Sequence, residues 1–140
     1  MTMGKLDQLS NLANDRILIL DGAMGTQIQG FGFDEDAFRG DRFADWQKPL
    51  KGNNDLLNLT QPDAIRTIHG RYIEAGADLI ETNTFSATTI AMADYAMEAL
   101  ADEIAAEGAR LAREAAEAAG GPVAVLGAIG PTNKTLSLSP

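Results

Sequence analysis

The amino-acid sequence predicts an α/β fold built from parallel strands. Three short apolar runs bounded by turn signals are typical of strands that are buried on both faces. Segments with helical periodicity separate these runs, so the order along the chain is strand, helix, strand, helix, strand. Parallel βαβ units are the simplest arrangement with that order. The three predicted strands are residues 16–20, 77–80 and 123–126.

Two helices are predicted between the strands. The first begins at Thr60, which we assign as its N-cap, and Asp63 is placed to complete a capping box. Apolar residues then recur at helical spacing until Gly76, which supplies a C-terminal stop. The second helix covers about residues 97–119 and is rich in Ala, Glu and Arg. A shorter helical turn is predicted over residues 88–93.

Residues 30–57 follow neither a strand period nor a helix period. We predict a long, partly packed excursion after the first strand; loops of that length in a compact domain are usually either functional or wrongly assigned secondary structure. Its aromatic residues are predicted to form a small satellite core rather than a cofactor-binding box. They are Phe31, Phe33, Phe38, Phe43 and Trp46. Residues 1–15 are predicted to be an N-terminal extension, and residues 16–140 a single domain.

Composition excludes several kinds of function. The formal net charge of −9 argues against nucleic acid as a partner, because phosphate binding requires clustered Lys and Arg. No apolar run reaches the length of about 20 residues that spans a bilayer, and the first ten residues contain no signal-peptide core. We therefore expect a cytoplasmic protein without a membrane partner. With no cysteine and one histidine, the sequence cannot form a disulfide, a thiolate–metal site or a multi-histidine site.

Small and polar residues follow each predicted strand. Ligands of parallel α/β proteins bind at that edge, because the strand ends and the following loops converge there. The carboxylate of Asp21 can pair with a substrate ammonium, while the backbone amides of Gly22 and Ala23 can face a substrate carboxylate. Asn83 and Thr84 can add neutral hydrogen bonds. None of these groups is a nucleophile or an obvious general base, so we predict a binding surface.

Each of these features also fits a purely structural role. Asp21-Gly22 is a common turn after a strand, and Glu81 also suits a helix cap or an ion pair with Lys or Arg. The glycines at 127–130 also suit tight packing before a turn. His69 falls within the helical pattern, where a packed or surface side chain is more common than a ligand. Spacing alone therefore predicts an α/β domain with a polar site at the strand ends.

Several motifs, taken in order, resemble the homocysteine-binding module of cobalamin-dependent methionine synthases. The resemblance covers residues 16–140 and is far more specific than one glycine turn. The motifs are residues 20–26, 38–46, 51–57, 80–85, 89–95 and 130–133. The excursion over residues 30–57 resembles a segment that this subfamily carries after its first strand.

The resemblance implies that the chain forms about the first three strands and helices of a (β/α)8 TIM barrel. The upper face of such a barrel binds homocysteine and a zinc ion, which holds the substrate sulfur as a nucleophilic thiolate. The sulfur takes a methyl group from methylcobalamin on a separate module, and methyltetrahydrofolate reloads the cobalt. The substrate-binding residues that it implies are Asp21, Gly22, Ala23, Glu81, Asn83 and Thr84. It implies no catalytic residue within this sequence.

One feature departs from the family. Its zinc ligands are cysteines on later strands, and this sequence has no cysteine. We therefore expect that these 140 residues alone bind neither zinc nor cobalamin and transfer no methyl group. One alternative is a related homocysteine methyltransferase that uses betaine or S-methylmethionine, although residues 30–57 and the motif at 53–55 favour the cobalamin type. Another is a non-catalytic module whose barrel a companion chain completes.

Overall fold

The computed structural model describes residues 4–134 of the 140-residue chain. Helices dominate this part, and two short strands form its sheet. The helices are α1 (Lys5–Asp15), α2 (Met24–Gln29), α3 (Glu35–Arg39), α4 (Leu57–Thr60), α5 (Pro62–Glu74), α6 (Thr89–Met92) and α7 (Ala101–Ala118). The strands are β1 (Leu79–Glu81) and β2 (Ala124–Leu126), and 3-10 turns cover Asn54–Leu56, Ala93–Tyr95 and Glu98–Leu100.

The two strands pair in parallel, as the sequence predicts. Ile80 lies opposite Val125 at the centre of the ladder. The connection from β1 to β2 contains α7, so the predicted βαβ unit is confirmed. A closed eight-stranded barrel is a property of a longer chain and stays a prediction.

The first predicted strand lies beside β1 but is not a regular strand. Leu20 forms an isolated parallel bridge with Leu79. The regular ladder fails one residue earlier, where the amide of Ile19 donates to the side chain of Asp78 at 2.9 Å. Arg16 holds the same carboxylate through two hydrogen bonds of 2.6 and 2.7 Å. A side chain therefore replaces the backbone partner that a regular strand would use.

The predicted N-terminus of α5 is wrong and its predicted C-terminus is confirmed. The helix begins at Pro62, and Thr60 instead ends α4 with its hydroxyl buried and without a hydrogen-bond partner. Proline explains the difference, because it suits the first helical position and disfavours the helical conformation in the residue before it. Asp63 forms no capping box and pairs with Arg66 at 2.7 Å. At the other end Gly76 has a φ of +106°, which closes a Schellman motif.

The two other helical predictions agree with the structure apart from their ends. The helix predicted over 97–119 is α7, and its first residues form a 3-10 turn instead. The predicted turn over 88–93 is α6, capped by the hydroxyl of Thr88, which accepts from the amide of Ala91 at 3.1 Å. Helices α1, α2, α3 and α4 were not predicted from the sequence. No helix within residues 4–134 has the length and apolar character needed to cross a membrane.

The excursion over residues 30–57 packs onto the main core. The prediction of a separate satellite core is wrong, because Phe38 and Phe43 belong to the same buried cluster as the apolar residues of α5 and α7. A charged pair organises this segment: Glu35 and Arg39 lie 2.8 Å apart. Glu35 accepts from the amides of residues 50 and 51, and Arg39 donates to the carbonyls of residues 43, 44, 46 and 48. Outside α3 and the 3-10 turn at Asn54–Leu56, these bonds take the place of regular secondary structure, so the segment shows no overall period.

A smaller apolar cluster lies between the sheet and α7. Its buried members are Ala77, Ile80, Ala112, Ala116 and Val123. Several large apolar side chains near the strands are exposed instead, among them Ile17 at 89% and Ile129 at 91%. This part of the surface is not covered by any described residue.

Candidate functional site

A cleft of about 530 Å³ opens where the strands end. It is lined by the turn after residue 20, by the residues that follow β1 and β2, and by segments 52–55 and 91–95. Five of the six predicted substrate-binding residues line this cleft. They are Asp21, Gly22, Ala23, Glu81 and Asn83. Thr84 is not among the lining residues.

Asp21 offers an unused hydrogen-bond acceptor. One carboxylate oxygen accepts from the amide of Glu81 at 3.1 Å, while Oδ1 is buried and has no partner among residues 4–134. Burial raises the pKa of Asp21; the amide of Glu81 opposes this rise, and the carboxylate of Glu81 adds to it. A buried acceptor without a donor is costly, so this position suits a ligand with a positively charged donor.

Gly22 and Ala23 form the turn between Asp21 and α2. Neither of their amides donates a hydrogen bond to another described group. The hydroxyl of Tyr72 donates to the carbonyl of Ala23 at 3.3 Å, and a Cβ at Gly22 would lie 3.3 Å from the same hydroxyl. Glycine therefore lets the tyrosine close tightly on the turn. The two free amides remain able to bind an anionic group.

A buried asparagine pair fixes Asn83. Its Nδ2 donates to the carbonyl of Asn54 at 2.9 Å and to Oδ1 of Asn58 at 3.0 Å. Asn58 in turn donates to the carbonyls of Asn83 and Ile104 at 2.8 and 3.1 Å. Because a carbonyl can only accept, these contacts determine which amide atom is nitrogen in each side chain. No described residue donates to the oxygen of Asn83, which is therefore available to a ligand.

Two threonine hydroxyls tie the end of β1 to the loop after β2. Thr84 donates to the carbonyl of Ala128 at 2.8 Å, and the amide of Ala128 donates to the hydroxyl of Thr82 at 3.0 Å. The two hydroxyls lie 2.6 Å apart, and Thr82 must be the donor because the proton of Thr84 is already engaged. Thr84 is thus placed to hold the cleft together. Next to it, a Cβ at Gly130 would overlap the carbonyl oxygen of Phe85, which agrees with the packing role considered for that glycine.

Sequence reasoning missed Asp55 as a residue of the cleft. Its side chain is only 4% exposed and accepts from the amide of Ser86 at 2.5 Å. Burial raises the pKa of Asp55 to about 6, and it forms no ion pair within the described residues. The Asn53-Asn54-Asp55 motif could have indicated this residue, but from the sequence we used the motif only to favour the cobalamin type of enzyme.

The cleft carries negative charge. In the described part of the chain, its lining contains four carboxylates, those of Asp21, Asp55, Glu81 and Asp94, and no lysine or arginine. Such a lining favours a cationic group or a hydrogen-bond donor on the ligand. Within residues 4–134 no three His, Cys, Asp or Glu side chains are grouped to hold a metal ion. Together with the absence of cysteine from the whole sequence, this means that the residues present do not fit a thiolate-type zinc site.

His69 is a packed side chain and lies outside the cleft. It is fully buried in α5, and neither ring nitrogen has a hydrogen-bond partner among the residues that the structure describes. Burial lowers its pKa to about 4, so the ring is neutral at physiological pH. Glu81 neither caps a helix nor forms an ion pair in the described part of the chain, and its exposed side chain borders the cleft.

Comparison with known proteins agrees with this geometry. A family model described as homocysteine S-methyltransferase matches residues 18–140. The oxidized form of the homocysteine methyltransferase MmuM from Escherichia coli superposes with a TM-score of 0.68 at 27% identity, covering 88% of this chain and 40% of that protein. Its metallated form gives a TM-score of 0.66 at 26% identity, with 88% and 41% covered. The chain thus spans about two fifths of the length of these structures. It belongs to the homocysteine S-methyltransferase family.

Proposed function

We propose that the cleft binds homocysteine as part of a homocysteine S-methyltransferase. The observation that carries the proposal is the buried, unpartnered Oδ1 of Asp21 at the cleft. Membership of the family and similarity to solved homocysteine methyltransferases support the choice of ligand. The acidic lining agrees with a ligand that presents an ammonium group.

In this proposal the amino-acid end of homocysteine enters the strand-end side of the cleft. The ammonium donates to Oδ1 of Asp21 and to the free oxygen of Asn83, with the charge of Glu81 nearby. The carboxylate accepts from the free amides of Gly22 and Ala23. Thr84 supports the site through its bond to the loop after β2.

Activation of the sulfur requires groups other than those described. When bound, zinc supplies a Lewis acid that keeps the thiol as a nucleophilic thiolate. The residues of this chain do not fit such a site, so we assign zinc binding to further residues of the intact enzyme. The role of this chain is to bind and orient the amino-acid end of the substrate.

For the methyl donor we propose methylcobalamin, reloaded from methyltetrahydrofolate on other modules of a methionine synthase. The excursion over residues 30–57 and the motif at 53–55 support this choice. A second candidate is a cationic methyl donor, such as a sulfonium or a quaternary ammonium compound, which the four carboxylates of the cleft favour. Methyl transfer assays on the intact enzyme with methylcobalamin and with S-methylmethionine distinguish the two.

Binding of L-homocysteine tests the site. Loss of one charge-assisted hydrogen bond corresponds to roughly a tenfold to hundredfold weaker affinity, and we expect this for Asp21→Asn by isothermal titration calorimetry. Asp41→Asn is the matched control, because Asp41 is exposed and lies outside the cleft. Equal affinities of wild type, variant and control would refute the assignment of Asp21.

A further inference from the structure

One wall of the cleft is held in place by the excursion. The wall (residues 91–95) follows β1 and contributes Met92, Asp94 and Tyr95 to the lining. Trp46 donates its indole N–H to the carbonyl of Tyr95 at 2.8 Å, and Lys48 donates to the carbonyl of Asp94 at 3.2 Å. We name residues 46–48 the clamp. These two bonds join segments that are more than 40 residues apart in the sequence.

The hydroxyl of Tyr95 is a free donor in the cleft. Its ring is half-buried, and the hydroxyl has no hydrogen-bond partner among the described residues. Burial first, and then the charges of Asp94 and Asp55, raise the pKa of Tyr95, so the hydroxyl keeps its proton. In an otherwise acidic lining, a neutral donor suits an acceptor on the ligand.

Tyr95 lines the same cleft as the turn that carries the free amides. A Cβ at Gly52 would be 3.8 Å from this hydroxyl, and a Cβ at Gly25 would be 3.7 Å from Nδ2 of Asn54. The amide of Asn54 also donates to the carbonyl of Gly52 at 3.0 Å. The donors at residues 22, 23 and 95 therefore belong to residues that line one cleft of about 530 Å³.

We propose that Tyr95 is a further substrate-binding residue, which donates a hydrogen bond to the carboxylate of homocysteine, and that Trp46 and Lys48 are its positioning residues. The inference rests on the proposed function, since it requires an amino-acid ligand. The clamp fixes the backbone of the wall and so sets the position of the tyrosine hydroxyl. Trp46 is itself held edge-on against Phe43, with ring centroids 5.7 Å apart.

A ligand without the carboxylate tests the role of Tyr95. L-homocysteine is compared with 3-aminopropane-1-thiol, which keeps the thiol and the ammonium and lacks only the carboxylate. Loss of one hydrogen bond to a charged group is expected to weaken binding of homocysteine to Tyr95→Phe about tenfold. Binding of the aminothiol is expected to be the same for wild type and variant. Equal effects on both ligands, or none, would overturn the inference.

The outcomes separate this inference from the proposed function. If wild type fails to bind homocysteine, the proposed function is wrong, and the carboxylate contact is wrong with it. If wild type binds and Tyr95→Phe binds equally well, only the present inference is wrong.

The clamp is tested without any ligand, because Trp46 is the only tryptophan of the chain. Its single indole N–H resonance reports on the bond to the wall. We expect Lys48→Met to accelerate hydrogen exchange at this group, since the neighbouring attachment of the wall is lost. Lys51→Met is the matched control, because the side chain of Lys51 forms no bond in the described part of the chain. Equal exchange rates in the two variants would refute the clamp.

Discussion

Gly108 is the position where one added methyl group should most clearly disturb the residues that support the cleft. It lies within α7, where its missing side chain leaves room for the asparagine pair. A Cβ there would be 2.6 Å from Nδ2 of Asn58, 2.6 Å from Cγ2 of Thr84 and 3.1 Å from the carbonyl oxygen of Asn83. Gly108→Ala therefore forces movement in three groups that support the strand end.

The expected loss of stability follows from opposing contributions. Alanine is favoured over glycine by about 1 kcal/mol in a helix interior. Overpacking a buried contact costs about 1–3 kcal/mol. Displacing Asn58 also weakens its two hydrogen bonds to buried carbonyls, at about 1 kcal/mol each. We expect Gly108→Ala to lower the free energy of unfolding by about 2–4 kcal/mol, which is a fall in Tm of roughly 6–12 °C.

Gly70 provides the matched control. It also lies in a helix interior, in α5, and a Cβ there meets no atom within 4 Å. Gly70→Ala is therefore expected to stabilise the protein by about 0.5–1 kcal/mol through helix propensity and the unfolded state. Urea denaturation of both variants measures the difference. If Gly108→Ala is as stable as Gly70→Ala, the close packing of α7 against the asparagine pair is refuted.

Three further predictions concern titration, an ion pair and metal binding. Burial of His69 lowers its pKa from 6.5 to about 4, so its contribution to stability is complete above pH 6.5 and is lost as the pH falls. The raised pKa of Asp55 acts in the opposite direction, because protonation of this carboxyl stabilises the folded state as the pH falls. The two effects nearly cancel in wild type, so its free energy of unfolding should change little between pH 6.5 and 5. In Asp55→Asn only the effect of His69 remains, and the free energy of unfolding should fall by about 2 kcal/mol; a flat profile in the variant contradicts this. Arg16→Met should lower the stability at pH 7 and lower it less at pH 3. Arg16 and the amide of Ile19 lower the pKa of Asp78 to about 2, and without Arg16 this carboxylate becomes protonated at pH 3; an equal loss at both pH values argues against it. The purified 140-residue chain should contain no stoichiometric zinc by mass spectrometry and form no methionine from methylcobalamin and homocysteine, and either finding would contradict the prediction.

The parts of the fold that depend on local pattern could be predicted from the sequence. Both strands of the sheet lie in short, mostly apolar runs, and α7 has strong helix formers followed by glycine, so these elements could be recognised without distant contacts. The start of α5 was misplaced because Pro62 outweighed the capping signal at Thr60. Residues 16–20 have a strand pattern, but the side chain of Asp78 occupies the hydrogen-bond position that a strand needs. Ile19 and Asp78 are 59 positions apart in the sequence, so a local pattern cannot reveal this hydrogen bond.

The same distinction applies to the site. Asp21 and Asn83 could be predicted because they directly follow strands, and the edge of a parallel sheet is a known binding position. Asp55 and Tyr95 could not be predicted in this way. Asp55 lies near the end of the excursion, and Tyr95 lies in the wall that the excursion holds in place. Tyr95 lay inside a motif used for the family resemblance, yet nothing in its neighbours along the chain indicates an exposed hydroxyl. Thr84 follows a strand as Asn83 does, but its hydroxyl is engaged by Ala128.

The charge of the cleft has a consequence for the sulfur of the ligand. If homocysteine binds as proposed, its amino-acid end meets four carboxylates and no cation of the lining. Negative charge close to a thiol raises its pKa and opposes formation of the nucleophilic thiolate. The sulfur must therefore extend away from these carboxylates, towards groups outside residues 4–134. Recognition and activation would then be separable: Asp21→Asn in the intact enzyme should weaken homocysteine binding while leaving the pKa of the bound thiol unchanged. A fall in that pKa would place the sulfur beside Asp21 and reverse the proposed orientation of the ligand.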